Sequence, residues 1–245
     1  MPVLTTVSER ARLLRLFGVN EVLFLQTNRE LLQLSAAEFF DRIICDGFQA
    51  RAVVEGFNFH FGRDRAGDTD YLAKMCAAKS IAFTLVPPLT NDGIPVSSSR
   101  VRHALAEGDI SSATKLLGRF HRIHGIVASG RSRGRTLGFP TANIENVPVV
   151  TPGDGVYAVY AVFDGNRYDG VANVGTNPTF GETSRRIEIH ILDWTGDLYG
   201  REIQVDFVGW LRGVTKFAGA TELIAQIQDD IAAALRVFAE VSDGR

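Results

Sequence analysis

GVYAVYAVFDGNRYDGVANVG, residues 155–175, decides how the second half of this chain folds. Two apolar-rich runs of alternating character flank Asp164-Gly165-Asn166. Asp and Gly accept the positive φ of a tight turn, so the stretch predicts a β-hairpin. Working outward, HRIHGIVASG (121–130), RIEIHILD (186–193) and EIQVDFVGW (202–210) repeat the strand-like alternation between Gly, Asn and Asp turns. Such a series predicts an antiparallel barrel or sandwich. Beyond it, 215–241 reads as an amphipathic helix, with Leu223, Ile227, Ile231 and Leu235 on one face.

Upstream the rhythm differs. SERARLLRLF (8–17) predicts a helix with Ser8 as cap and Gly18 as stop, and GVNEVLFLQ (18–26) predicts a strand. A helix over 35–45, a strand in ARAVVEGFNFHFG (50–62), a helix over 68–79 and a strand over 80–86 follow. SSSRVRHALAEGD (97–109) starts a helix at a run of serines, and ISSATKLLGR (110–119) continues as another. Alternating strands and helices predict a parallel α/β sheet. The change of pattern places a domain boundary at 119/120, giving modules 1–119 and 120–245.

The 245 residues are 45% hydrophobic and 22% charged, enough for a real core. A net charge of −2 argues against general affinity for nucleic acid. The apolar runs are too short for a membrane span of roughly 20 residues. MPVLTTVSER lacks the apolar centre of a signal peptide. Cys45 and Cys76 form no CxxC pair and sit in apolar helical patterns, so both are expected in the core of a cytoplasmic protein.

The stretch that carries chemistry is GRSRGRTLGFPTANI, 130–144. Glycines at 130 and 134 allow backbone N–H groups to face an anion, and Arg131, Arg133 and Arg135 either neutralise it or sit in water. This is not a P-loop: three residues separate the glycines, and arginine follows the second. After Pro140, Thr141 and Asn143 stand two apart on an extended segment and so project to the same side. Their neutral oxygens suit Mg²⁺ carried by a nucleotide, which takes few protein ligands.

GRTLGFPTANI resembles the signature of riboflavin kinase, which phosphorylates riboflavin to FMN with ATP. GVYAVYA, GVANVGTNPTFGE, IEIHILDWTGDLYGREIQVDFVGWLR and KFAGATELIAQIQDD follow in that family's order, together covering about 120–240. The resemblance implies a six-stranded antiparallel barrel with a C-terminal helix. It implies that Thr141 and Asn143 bind Mg²⁺ and that Gly130, Arg133, Gly134, Arg135 and Pro140 bind ATP. Glu188 matches the catalytic glutamate, a base for the ribityl 5′-hydroxyl. Asn177 to Phe180 resembles a flap over the flavin, and Phe180 and Arg185 are expected near riboflavin. His190 shares a strand face with Glu188 and is expected to be a structural hydrogen-bonding residue.

VEGFNFHFGRDRAGD and VSSSRVRHALAEGDISSATKLLGR resemble the FMN adenylyltransferase module of bacterial bifunctional riboflavin kinase/FAD synthetases. By that resemblance Asn58 and Phe59 contact substrate, and Ser98, Ser99 and Arg100 bind phosphate at a helix N-terminus. The sequence departs from the family in having no HxGH segment. The expectation is a chain that begins at the family's third strand, as from a misassigned start. EVLFL and RAVVE would then lack a shared neighbour, leaving an incomplete Rossmann-like sheet that is loosely folded and inactive in making FAD. The leading expectation is therefore a riboflavin kinase. The alternatives are a chain with both activities, or a non-catalytic flavin-binding regulator.

Overall fold

The computed structural model describes residues 2–128, 134, 137–176 and 185–243. They form two compact units, Gly18–Val96 and a larger one made of Met1–Phe17 with Ser97–Arg245. Helix α1 (Val7–Leu16) belongs to the larger unit, which the preceding residues join through a bridge between Val3 and Val149. Its cap is Thr6 rather than the expected Ser8: the Thr6 hydroxyl accepts from the Glu9 N–H at 3.1 Å.

In the smaller unit, α2 (Arg29–Gln33) precedes α3 (Ala36–Phe39), which Ser35 and Glu38 cap reciprocally and which runs on as a π-helical stretch, Phe40–Gly47. Strand β1 (Ala52–Gly56), helix α4 (Thr69–Ala78) and strand β2 (Ala82–Val86) form one crossover. β1 and β2 pair in parallel, Val54 opposite Thr84. Short strands β3 (Thr90–Asn91) and β4 (Ile94–Pro95) make a separate hairpin. The core of this unit is Ala36, Phe40, Phe61, Leu72 and Cys76. Cys45 is half-buried beside it.

The strand expected in GVNEVLFLQ does not form, and Leu23, Phe24 and Leu25 are 57%, 56% and 46% exposed. A strand needs a hydrogen-bonding neighbour. Among the described residues the parallel sheet consists of β1 and β2. RAVVE finds its partner in β2, and EVLFL pairs with neither strand.

The larger unit holds α5 (Ser98–Ala106), α6 (Ile110–Leu117) and the strands β5 (His121–Ala128), β6 (Ala142–Glu145), β7 (Gly155–Phe163), β8 (Asn166–Gly175), β9 (Arg186–Ile191) and β10 (Glu202–Arg212). The six strands close an antiparallel barrel in the order β10-β5-β6-β9-β8-β7. The β7–β8 turn carries φ of 51° at Asp164 and 75° at Gly165, as the sequence predicts. Val101, Leu105, Ile110 and Ala113 of α5 and α6 join the barrel core. Compactness therefore groups these helices with the barrel, whereas the change of sequence pattern falls after them.

Helix α7 (Ala220–Asp243) covers one side of the barrel. This explains why β7 is buried on both faces. Tyr157, Val159 and Ala161 fill the barrel, while Val156, Ala158 and Tyr160 meet α7. The contact face of α7 centres on Ala234 and Phe238, not on the expected Leu235, which is 51% exposed. Leu223, Ile227 and Ile231 are half-buried. Ala234 and Phe238 are the buried apolar residues of α7 in this cluster. Asp230, buried on the same side, receives both arms of Arg212 at 2.8 Å.

Candidate active site

β6 is only four residues long, too short to show a period of its own, and it is the strand on which the site is built. Its neighbour β9 pairs Ala142 with Ile189, Asn143 with Glu188 and Ile144 with Ile187. On the other side of β9, β8 pairs Ala172 with Ile189, Asn173 with Glu188 and Val174 with Ile187. Ile144, Ile187, Ile189, Ala172 and Val174 point into the core. Alternation then sends Asn143, Glu188 and Asn173 to the outer face, in one row across three strands.

Asn143 is 9% exposed. Its Oδ1 is buried and has no hydrogen-bond partner among the described residues. A buried carboxamide oxygen left unpaired costs free energy, about 1–3 kcal/mol for such a group, so the arrangement fits a ligand that binds oxygen. Among the described residues no cluster of three His, Cys, Asp or Glu side chains exists that would hold a metal unaided. A hard cation with few protein ligands and a nucleotide's oxygens is the kind that fits Asn143 and Thr141.

Thr141 lines a cleft of about 250 Å³, together with Pro140, Trp194, Asp197 and Tyr199. The approach to Thr141 is braced from β9. The Nδ1–H of His190 donates to the Pro140 carbonyl at 2.9 Å, and its ring meets Phe139 edge-on at 5.6 Å. His190 thus makes a hydrogen bond to the backbone of the segment that leads into β6. The turn before it closes on Gly134, whose carbonyl accepts from Leu137 N at 3.1 Å and Phe139 N at 2.8 Å. A Cβ at Gly134 would stand 2.3 Å from the Phe139 oxygen, so only glycine fits.

Gly130, Arg133, Arg135 and Phe180 lie outside the described residues, as do Arg131 and Asn177 to Thr179. Arg185 is described, and its guanidinium is engaged. Nε donates to Asp154 at 2.7 Å, one terminal nitrogen to Thr151 Oγ1 at 2.6 Å and the other to the Pro152 carbonyl. It ties the start of β9 to the loop before β7.

The residues expected for adenylyl transfer fall in different units. Asn58 and Phe59 belong to the smaller unit, where Phe59 stacks on Phe61 at 5.6 Å and Asn58 is exposed. Ser98, Ser99 and Arg100 open α5 in the larger unit. Ser97 caps that helix, accepting from Arg100 N at 3.3 Å.

Asn173 was not singled out from the sequence. A polar residue between Ala172 and Val174 is an ordinary outward position of a strand. Only the register places it opposite Glu188.

The family model for riboflavin kinase matches residues 117–238, and that for FAD synthetase matches 1–100. Bifunctional riboflavin kinase/FMN adenylyltransferases are similar along most of the chain. That of Pseudomonas fluorescens is 43% identical over 89% of this chain and 70% of its own length. That of Escherichia coli K12 is 37% identical over 96% and 75%, and that of Bacillus subtilis 34% over 98% and 76%. A crystal structure of a macrolide-efflux protein from Streptococcus pneumoniae matches with a TM-score of 0.84 and 32% identity, over 94% of this chain and 75% of that one. Among the described residues no helix is long and apolar enough to cross a membrane. Both halves thus match the two modules of one protein type in their order along the chain, and the chain belongs to the bifunctional riboflavin kinase/FMN adenylyltransferase family.

Proposed function

We propose that this chain phosphorylates riboflavin at the ribityl 5′-hydroxyl, with ATP as donor and FMN as product. The observation that carries the reading is the pairing of Asn143 with Glu188, with the Asn143 Oδ1 buried and unpartnered among the described residues. The pairing supports the reading because a carboxamide oxygen suited to a hard cation and a carboxylate suited to a base then stand opposite each other on adjacent strands. Phosphoryl transfer asks for positioning, charge neutralisation and a base, and little covalent chemistry from the protein.

In this reading Thr141 and Asn143 hold Mg²⁺ with the nucleotide. When bound, the ion supplies positive charge against the phosphate oxygens. The cleft beside Thr141, walled by Trp194, takes ATP, and Gly130, Arg133, Gly134, Arg135 and Pro140 border its phosphates. Glu188 takes the proton from the ribityl hydroxyl as its oxygen bonds to the γ-phosphorus. The bond from that phosphorus to the β-phosphate oxygen breaks, and ADP leaves. Arg185 serves the riboflavin side by holding the loop at 151–154, and Phe180 is assigned to riboflavin by resemblance alone. The partners are then small molecules, with neither nucleic acid nor membrane among them. Free thiols and ATP belong to a reducing, cytoplasmic compartment.

Adenylylation of FMN is not included in the proposal. The match of 1–100 to FAD synthetase supports that reaction as a second activity.

The test is to incubate the purified chain with riboflavin, ATP and Mg²⁺ and to separate the flavins by chromatography. FMN is expected, falling by about 10²- to 10⁴-fold in Glu188→Ala, the usual worth of a general base. Asn143→Ala is expected to raise the Mg²⁺ requirement. FAD beside FMN would add the second activity. Bound riboflavin without product would establish a regulator instead.

A further inference from the structure

We propose that His190 is a positioning residue for Thr141: by holding the Pro140 carbonyl, it fixes the peptide from which the Thr141 hydroxyl is presented to Mg²⁺. The inference rests on the kinase reading and on Thr141 as a ligand of the ion.

The two proposed ligands are held by different means. Asn143 lies inside the sheet, paired with Ala128 on β5 and with Glu188 on β9. The ladder therefore fixes its backbone from both sides. The pairing of β6 with β9 begins at Ala142, opposite Ile189, so Thr141 stands one residue outside it. Before Thr141 the chain turns. Gly138 has a φ of 89°, and the N–H groups of Leu137 and Phe139 both donate to the Gly134 carbonyl. Bonds local to the turn set its shape, and a side chain ties its exit to the sheet: the Nδ1–H of His190 donates to the Pro140 carbonyl at 2.9 Å. A carbonyl only accepts, so Nδ1 carries the proton in this contact.

The position of that carbonyl matters because a peptide is planar. The Pro140 C=O and the Thr141 N–H and Cα turn as one body, and the Thr141 Cβ and Oγ1 turn with them. Continued by one step, the register that sets Asn143 opposite Glu188 brings Thr141 level with His190. On β8, His190 is opposite Val171, whose side chain offers no acceptor. The Phe139 ring meets the imidazole edge-on, with an angle of 80° between the planes, which steadies its orientation. Thr141 Oγ1 also lies against Gly134, 3.4 Å from where a Cβ would stand, so the hydroxyl is bounded there too. Mg²⁺ demands near-ideal octahedral geometry with oxygens at about 2.0–2.1 Å, which leaves little tolerance for a misplaced ligand. Partners that orient a metal ligand are typically worth about 10- to 100-fold in affinity.

The experiment measures the Kd of a non-hydrolysable ATP analogue by calorimetry, with and without Mg²⁺, on wild type, His190→Phe, His190→Asn, Thr141→Val and the double variant His190→Phe/Thr141→Val. His190→Phe keeps a ring beside Phe139 and loses the donor. It should weaken binding about 10-fold or more in the presence of Mg²⁺ and stay within about twofold without it. His190→Asn keeps a donor near the Nδ1 position and loses the ring. It should recover most of the affinity. In the Thr141→Val background, His190→Phe should cost nothing further, since a residue acting only through Thr141 has nothing left to position. If His190→Phe fails to fold, His190→Ala, which adds no bulk, carries the same expectations. Equal weakening with and without Mg²⁺ would mean a purely structural role and overturns the inference. So does wild-type affinity in His190→Phe. Loss in His190→Asn with retention in His190→Phe would assign the effect to the ring contact and also overturn it. Failure of the underlying reading looks different: wild type gains nothing from Mg²⁺, or Thr141→Val binds as wild type does.

Discussion

At the first position of β5, His121 is fully buried, and its Nε2–H donates to the Val150 carbonyl at 2.7 Å. That leaves Nδ1 buried with no partner among the described residues, beside the Phe207 ring. Burial pushes the imidazole down to about 4 from an ordinary value of 6.5. The neighbouring Arg119 adds to this, against the opposing hydrogen bond to Val150. The folded chain thus keeps His121 neutral where the unfolded chain is already protonated. Its contribution to stability is complete above pH 6.5 and is lost as pH falls toward 4. Between about pH 7.5 and pH 5 the loss should be roughly 2 kcal/mol. Urea melts at the two pH values check it: His121→Gln, which keeps a donor for Val150, should show a flatter dependence by that amount. Equal slopes in the two proteins would remove His121 from the account. The residues of the site behave differently as signals. Thr141 and Asn143 stood out in the sequence by their spacing after Pro140, and Glu188 by its resemblance to the family's catalytic glutamate. The place of Asn173 opposite Glu188 did not, because Asn on a strand has no local mark of what lies across from it.

Among the elements, β7 and α7 depend on each other. The outer residues Val156, Ala158 and Tyr160 would face water without the helix, and Tyr160 stacks on Phe238 at 5.1 Å. Phe238→Ala should cost about 3–5 kcal/mol, the usual range for a buried aromatic ring, while Leu235→Ala on the exposed side should change stability by about 0.5 kcal/mol or less. Denaturant midpoints of the two variants give the comparison, and the reverse order would mean that α7 presents its other face. The amphipathic helix was legible from its spacing. Which part of its stripe meets the barrel was not, since Leu223, Ile227, Ile231 and Leu235 satisfy the same period as Ile231, Ala234 and Phe238.

For the whole molecule, the two units differ in how completely they bury themselves. The barrel has no free edge, and its strands satisfy one another's backbone all the way round. The smaller unit rests on two parallel strands, and Val54, Leu85 and Val86 remain 61%, 46% and 45% exposed. Two strands alone are marginal in water. Hydrogen exchange followed by mass spectrometry should therefore find the amides of β1 and β2 exchanging well before those of β7 and β10. Equal protection would show that the smaller unit is as stable as the barrel. The sequence by itself determined the hairpin at Asp164-Gly165, the strand pattern of the barrel, most helices and the residue types that carry chemistry. Those are properties of period and of φ at single positions, which neighbours along the chain decide. Only the tertiary structure decided that Asn143, Glu188 and Asn173 stand in one row, that Asn143 loses its water, that Leu235 faces outward, and that EVLFL forms no strand. Each of these depends on a partner distant in sequence. Register, burial and strand pairing come into being only when that partner is in place, or is not.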